Sequence, residues 1–175
     1  MPAGRRLRMP LLTVHVTVSV GWIGAIIAYL VVNAVALTSS DLAQVRGAYL
    51  LMDPLLRFAI APLAVASLVT GVILALVTRW GLLRHRWVVA SLWLTIVAVA
   101  LLFVHMSTEV AELTARAADP SMDPRTDRAD LPNTVAGLLL VTVPLVLNIY
   151  KPRGLTRRGR RLQTGALSST PSTAS

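Results

Sequence analysis

The sequence predicts an all-α fold, a bundle of four transmembrane helices whose N and C termini both lie in the cytoplasm. The chain of 175 residues is 55% hydrophobic and only 14% charged, with a mean hydropathy of +0.67. Its charged residues leave four long uncharged runs, and most of its basic residues collect on one side of those runs. Since a soluble domain carries about 25% charged residues, lipid is the expected solvent.

The four uncharged runs have the length of membrane-spanning helices. They are residues 11–37, 58–78, 87–108 and 131–150. A helix rises about 1.5 Å per residue, so about 20 apolar residues cross a hydrocarbon core of about 30 Å. Each run is continuously apolar rather than alternating, and an open sheet would leave backbone groups unpaired in lipid, so we expect helices.

The first run is predicted to be a retained span rather than a cleaved signal peptide. It is about twice as long as the usual signal core of about 7–15 apolar residues, and it contains His15 and Trp22. A basic N-terminal segment, residues 1–10, precedes the membrane domain, residues 11–150. Residues 151–175 are predicted to form a basic and then Ser/Thr-rich disordered tail.

The two outer loops contain helix-start and helix-stop signals. Ser39-Ser40-Asp41 resembles an N-cap, which predicts a short surface helix, and the chain is expected to reset at residues 52–54 before the second span. The second outer loop is expected to extend the third helix and to break at Asp119-Pro120 and Asp123-Pro124.

The distribution of basic residues predicts the orientation. The N-terminal segment, the loop after the second span and the start of the tail hold 12 of the 17 basic residues and none of the 8 acidic ones. Basic residues mark the cytoplasmic side, so the sequence predicts a multi-pass protein of the plasma membrane. We expect these arginine clusters to contact anionic lipid head groups, and we expect no nucleic-acid binding because the tail lacks interleaved aromatic residues.

The sequence lacks the residues and motifs that several kinds of chemistry require. The chain has no cysteine, which excludes disulfides, thiolate metal sites and a cysteine nucleophile. There is no GxSxG, HExxH or Walker motif and no carboxylate inside a run, so the sequence reveals no enzymatic activity. Arg57 and Glu109 both lie at outer helix ends, where we expect a salt bridge between the second and third spans.

Small residues at helical spacing predict how the bundle packs. The first span offers Gly21-x3-Ala25 and Gly24-x3-Ala28, and the second offers Ser67-x3-Gly71. Helices in lipid associate through such small residues. The glycines of the first span also suggest a homo-oligomer.

On the third span a stripe of residues at spacings of three and four is predicted to form a bundle seam, with a polar pathway as the minority interpretation. The stripe consists of Ser91, Thr95, Ala98, Leu102, His105 and Glu109.

Two histidines lie within predicted spans, and imidazoles in a membrane bundle raise the hypothesis of b-type haem. The candidate axial ligands are His15 and His105. Their heights above the inner boundary differ by about 18 Å at 1.5 Å per residue, so one iron shared within one chain is not expected. Two alternatives stay open: His15 meets its own copy in a dimer, or His105 pairs with Met52. Otherwise each imidazole hydrogen-bonds a neighbouring helix.

Four segments resemble a family of small, functionally uncharacterised four-span integral membrane proteins of actinomycete type, which contain a domain of unknown function. They are LTVHVTVSVGWIG at 12–24, APLAVASLVTG at 61–71, RWGLLRHRWV at 79–88 and YKPRGLT at 150–156. The similarity covers about residues 8–160. It implies a membrane location and a four-helix fold, and it assigns no reaction and no functional residue.

The leading functional hypothesis is a structural or accessory membrane subunit. The alternative is a haem-binding redox or quinone-linked membrane component that uses His15 or His105. A small-solute or metal transporter is a weaker alternative, because proton-coupled transport generally uses an acid within the membrane.

Overall fold

The computed structural model describes residues 3–78, 82–125, 131–150, 154–156 and 160–161. Within these ranges the chain forms six α-helices and two π-helical segments, named in chain order. They are α1 (Ala3–Thr38), α2 (Leu42–Leu55), π1 (Leu56–Ile60), α3 (Ala61–Val77), α4 (Arg86–His105), π2 (Met106–Val110), α5 (Ala111–Ala118) and α6 (Leu131–Tyr150). Most of the predicted tail, residues 151–175, lies outside the described residues.

The described residues confirm the all-α fold with four helices long and apolar enough to cross a membrane. Two of these helices are composite, because α2, π1 and α3 run on without interruption, as do α4, π2 and α5. The four extend over Leu7–Thr38, Leu42–Val77, Arg86–Ala118 and Leu131–Tyr150. Phe58 is 81% exposed and Trp93 62% exposed, which suits side chains that face lipid tails.

The structure differs from the sequence prediction at the first predicted outer loop. Asp41 does cap α2, since its carboxylate accepts a hydrogen bond of 2.9 Å from the backbone N–H of Ala43. However, α2 is not a short surface helix, and the chain does not reset at 52–54. Pro54 lies inside the helix, and the backbone N–H of Leu56 bonds back to Asp53 and Met52. The helix tolerates its proline because its buried face packs on α1 and α5.

The bundle is built around α1, which packs against α2, α3 and α6, while α4 packs against α3 and α6. The largest fully buried side chains include Val45, Met52, Ile60 and Val110. These residues lie toward the end of the bundle that carries the two predicted outer loops, residues 38–56 and 110–129, and this end is named the outer half. The apolar core is concentrated there.

Arg46 joins α2 to the segment that follows α5. Its guanidinium donates three hydrogen bonds to backbone carbonyls, at 2.6 Å to Ala117, 2.7 Å to Asp119 and 2.9 Å to Met122. Asp119 ends α5 in an extended conformation, as the Asp119-Pro120 pair predicts. Arg46 of α2 therefore holds the end of α5 and the loop that follows it in place.

On the opposite side of the bundle, the loop before α4 meets the segment that follows α6. The backbone N–H of Arg86 donates to the carbonyl of Gly154 at 3.2 Å, and the N–H of Thr156 donates to Arg84 at 3.0 Å. An isolated antiparallel bridge pairs His85 with Leu155. These contacts bring two of the predicted basic segments together at one end of the bundle.

Candidate functional site

A cavity of about 420 Å³ lies in the outer half of the bundle, between α1, π1, α4, π2 and α6. Its wall is mainly aliphatic, with Ile26, Leu56, Leu102 and Val141 among the lining residues. Leu101 also lines it and is more than half exposed, so the cavity opens between helices toward the lipid. Pockets for small molecules have volumes of about 300–1,000 Å³ and are predominantly apolar, and this cavity matches both properties.

A buried indole lies on the wall of this cavity. Trp22 on α1 is only 3% exposed and lines the cavity. Its Nε1–H finds no hydrogen-bond acceptor among the described residues. A buried donor without a partner costs about 1–3 kcal/mol, so such groups are rare in folded proteins and require an explanation.

Both π-helical segments border the cavity. Leu56 and Ile60 line it from π1, and Thr108 and Glu109 line it from π2. A π-helix is rare and occurs frequently at functional sites. Two such segments facing one cavity from neighbouring composite helices mark it as the candidate functional site.

The wider turn of π2 is supported by its own hydroxyl side chains. Ser107 and Thr108 both donate hydrogen bonds of 2.9 Å to the carbonyl of Val104. In π1, Pro62 follows two residues after the segment and lacks the N–H that an α-helix would use at that point. Local side chains therefore account for both departures from α-helical geometry.

The polar end of the cavity is formed by α4, π2 and α6. The carboxylate of Glu109 accepts a hydrogen bond of 2.5 Å from the amide of Asn133, and its Oε2 lies 3.4 Å from Nδ1 of His105. Next to it, the amide of Asn33 on α1 donates to the hydroxyl of Thr134 at 3.4 Å. These pairs tie α6 to π2 and to α1 at the outer end.

The predicted salt bridge between Arg57 and Glu109 is corrected by these contacts. Arg57 donates to both carboxylate oxygens of Asp53, at 2.7 and 2.8 Å, one turn earlier in its own helix. Glu109 is engaged by Asn133 instead. A partner at position i−4 is within reach whatever the packing of the bundle, which explains why the local pair forms.

His15 lies in a second polar cluster, in the inner half of the bundle between α1 and α3. Its Nδ1 is 3.0 Å from the hydroxyl of Thr70, and that hydroxyl itself donates to the carbonyl of Ala66 at 2.6 Å. Since a hydroxyl has one proton, Thr70 accepts from His15, and Nδ1 of the ring carries a proton. One turn away, the hydroxyls of Ser19 and Ser67 bond at 2.8 Å.

The structure does not bring His15 and His105 together. His15 contacts Thr70 and Gly71 toward the inner end of α3, whereas His105 lines the outer cavity beside Glu109. A haem iron held by both rings of one chain is therefore excluded by their positions. Of the two histidines, His105 is the one that adjoins a cavity.

The small residues predicted to pack the bundle divide into two groups. A Cβ added to Gly21 would be in ordinary contact with Leu63 at 3.7 Å, and one added to Gly71 would come within 3.1 Å of the His15 ring. Ser67 is buried and Ala25 packs against the core. These four residues lie where α1 meets its neighbours.

Gly24 and Ala28 form the other group. Their positions correct the prediction that this pair packs the helices within one chain. A Cβ at Gly24 would meet nothing within 4 Å, and Ala28 is exposed. Since successive small residues at four-residue spacing share a face, these two lie on the outward face of α1. Their proposed role in a homo-oligomer stays a prediction.

Sequence reasoning missed Trp22 and the pair of Asn33 and Thr134 as site residues. Asn33 is 1% exposed, and an amide within an apolar run is costly in lipid unless it finds a partner. That signal was present in the sequence. The stripe on the third span was predicted as a bundle seam, and four of its residues line the cavity. They are Ala98, Leu102, His105 and Glu109.

The four helices are long and apolar enough to cross a membrane, so they fit the class of helical multi-pass membrane proteins, here with an apolar pocket toward the predicted outer end of the bundle. No known protein family matches the chain, and neither a curated protein nor a solved structure shows significant similarity to it. The functional argument therefore depends on the geometry of the site.

Proposed function

We propose that this protein is an accessory protein of the plasma membrane that binds a lipid-soluble small molecule in its outer cavity. The observation that carries the proposal is the cavity itself, about 420 Å³ of mainly apolar space between four helices. The cavity opens between helices toward the lipid, so a lipid-soluble molecule has a path into it. The two π-helical segments that border it support a binding role.

A second candidate is a b-type haem protein, and one observation favours it. His105 lines the cavity, and an imidazole beside an apolar cavity is what haem ligation within a membrane bundle requires. A Soret absorbance band after expression with added haem, lost in the variant His105→Ala, would support this candidate over the first.

The proposed orientation places both termini in the cytoplasm, with the arginine clusters beside anionic lipid head groups. The contacts of Arg86 with Gly154 and of Thr156 with Arg84 support one shared side for the basic segments. We expect reporter fusions at both ends to show cytoplasmic activity. A tag inserted at residues 121–123 should be accessible from outside. Reporters in opposite compartments would contradict the four-span topology.

We expect the variant Gly137→Leu to abolish ligand binding while leaving the fold intact. Gly137 lines the cavity, and a Cβ added there would meet nothing within 4 Å, so a leucine side chain fills the space without a clash. Leucine is also a better helix former than glycine, although by less than the about 0.8–1.0 kcal/mol that separates alanine from glycine. Equilibrium dialysis of 2-methylnaphthalene against protein in nanodiscs measures the effect, with empty nanodiscs as blank.

The matched control is Gly24→Leu. It makes the same substitution on the outward face of α1, where a Cβ also meets nothing, and Gly24 does not line the cavity. Wild type and Gly24→Leu should bind the probe above the blank, and Gly137→Leu should lose at least about tenfold in affinity. Equal binding by all three proteins would contradict the proposal.

A further inference from the structure

We infer that the ligand of the outer cavity is a lipophilic cation, a molecule that carries a protonated amine or a quaternary ammonium group on an apolar body. The carboxylate of Glu109 holds its charge, and the aliphatic wall holds its apolar body. This inference rests on the proposed binding function. It names the chemical class of the molecule and the side chain that selects that class.

Glu109 supplies the negative charge at the polar end of the cavity. It lines the cavity from π2, and its side chain is 54% exposed, so the carboxylate is accessible. The amide of Asn133 donates to it at 2.5 Å, and Nδ1 of His105 lies 3.4 Å away. An amide is neutral and an imidazole is charged only when protonated, so neither partner carries the permanent positive charge of an arginine.

Two other acidic residues at the same end of the bundle are paired with arginine. Arg57 donates to Asp53 at 2.7 Å, and Arg116 donates to Glu112 at 2.8 Å. Within the described part of the chain, by contrast, no lysine or arginine forms an ion pair with Glu109, and none lines the cavity. The negative charge at the cavity is therefore available to a cationic ligand.

The apolar part of the cavity extends inward from Glu109 along α4. Ala98 lies 11 residues before Glu109 on the same stripe, about 16 Å deeper at about 1.5 Å per residue. Ile60 and Val141 also line the cavity, from π1 and α6. A molecule with a charge at one end and an apolar body at the other matches this arrangement, with its charge toward the outer end.

The charge of Glu109 disfavours other classes of ligand. A fatty acid would place a second carboxylate beside Glu109, and like charges repel. A metal ion needs several donor side chains, and the described residues contain no group of three or more His, Cys, Asp or Glu side chains that could hold one. A neutral apolar molecule would contact the wall but leave the carboxylate without a cation. A lipophilic cation satisfies both.

The test compares two probes of the same shape. The first is the (2-naphthylmethyl)trimethylammonium ion, and the second is 2-neopentylnaphthalene, in which a carbon atom replaces the charged nitrogen. Equilibrium dialysis against protein in nanodiscs of a zwitterionic lipid measures binding, with empty nanodiscs as blank. The buffer is at about pH 8, because an ordinary histidine has a pKa of about 6.5 and is then neutral. We expect wild type to bind the cation more tightly than the neutral probe.

The variant Glu109→Gln should weaken binding of the cation by at least about threefold, because it removes the charge at a partly exposed site. Its affinity for the neutral probe should not change, since the glutamine oxygen can still accept the hydrogen bond from Asn133. The matched control is Glu112→Gln, which removes one negative charge nearby in α5 from a residue that does not line the cavity. It should bind both probes as wild type does.

The outcomes separate the inference from the proposed function. If wild type binds neither probe, the proposed function fails. If wild type binds both probes equally, or if Glu109→Gln binds the cation as tightly as wild type does, the cavity binds apolar molecules but the inferred class is wrong. Equal weakening by the two variants would assign the effect to surface charge and overturn the inference. If Glu109→Gln loses both probes, the cavity has been disturbed, and the preference of wild type for the cation decides instead.

Discussion

Replacing Arg46 by alanine should destabilise the outer layer of the protein by about 2–4 kcal/mol. The guanidinium donates three hydrogen bonds to the backbone between Ala117 and Met122. A hydrogen bond to a charged group contributes about 1.5–3 kcal/mol, and removal of Arg46 also leaves partly buried carbonyls without a donor. Since the bonds share one side chain, their contributions are not additive, and we expect less than their sum.

Hydrogen exchange by residues 111–122, measured in detergent or nanodiscs, checks this prediction. Exchange should become faster there in Arg46→Ala and stay unchanged in α6. The matched control is Arg116→Ala, which removes an arginine from an exposed pair with Glu112 in the same outer layer. Exposed pairs contribute about 0.2–1 kcal/mol, so the control should change exchange little. Equal effects from the two variants would show that Arg46 does not hold the loop.

The variant Gly71→Leu should destabilise the bundle by about 2–4 kcal/mol. A Cβ at Gly71 would come within 3.1 Å of Cε1 of His15, so the larger side chain forces the imidazole aside. Overpacking costs about 1–3 kcal/mol, and losing the hydrogen bond between His15 and Thr70 adds about 0.5–1.5 kcal/mol. Thermal unfolding in a fixed detergent measures the loss.

Two further variants isolate the cause of this effect. Gly24→Leu makes the same substitution where a Cβ meets nothing, so it should be neutral or slightly stabilising. The double variant His15→Ala with Gly71→Leu removes the ring that clashes, and it should be more stable than additivity of the single variants predicts. Strict additivity would mean that Gly71 does not accommodate the imidazole.

The length and the hydropathy of the uncharged runs predicted the architecture, because lipid imposes constraints that act locally along the chain. A run such as 131–150 must be about 20 residues long to cross the hydrocarbon core, and this length can be counted directly. The prediction failed at Pro54, where a local stop signal was outweighed by packing of α2 on α1 and α5.

The candidate site was predictable only in part. The stripe that contains Ala98 and His105 was visible as a helical spacing, and both residues line the cavity. The depth of Trp22 could be counted along the sequence from Arg8. Nothing along the sequence showed that its indole lacks an acceptor, because that depends on what three other helices place around it. Arg57 illustrates the same limit, since its choice of Asp53 depends on side-chain distances rather than on height in the membrane.

By itself, the sequence predicted lipid as the solvent, four helices long enough to cross it and the heights of the polar residues along those helices, because each of these follows from hydropathy and a fixed rise per residue. Only the tertiary structure decided which residues at equal height meet. The rotation of each helix about its axis places Gly71, and not Gly24, in close contact with a neighbouring helix. The same rotation leaves the Trp22 indole without an acceptor beside an apolar cavity. That rotation is set by packing between distant segments, which no local pattern records.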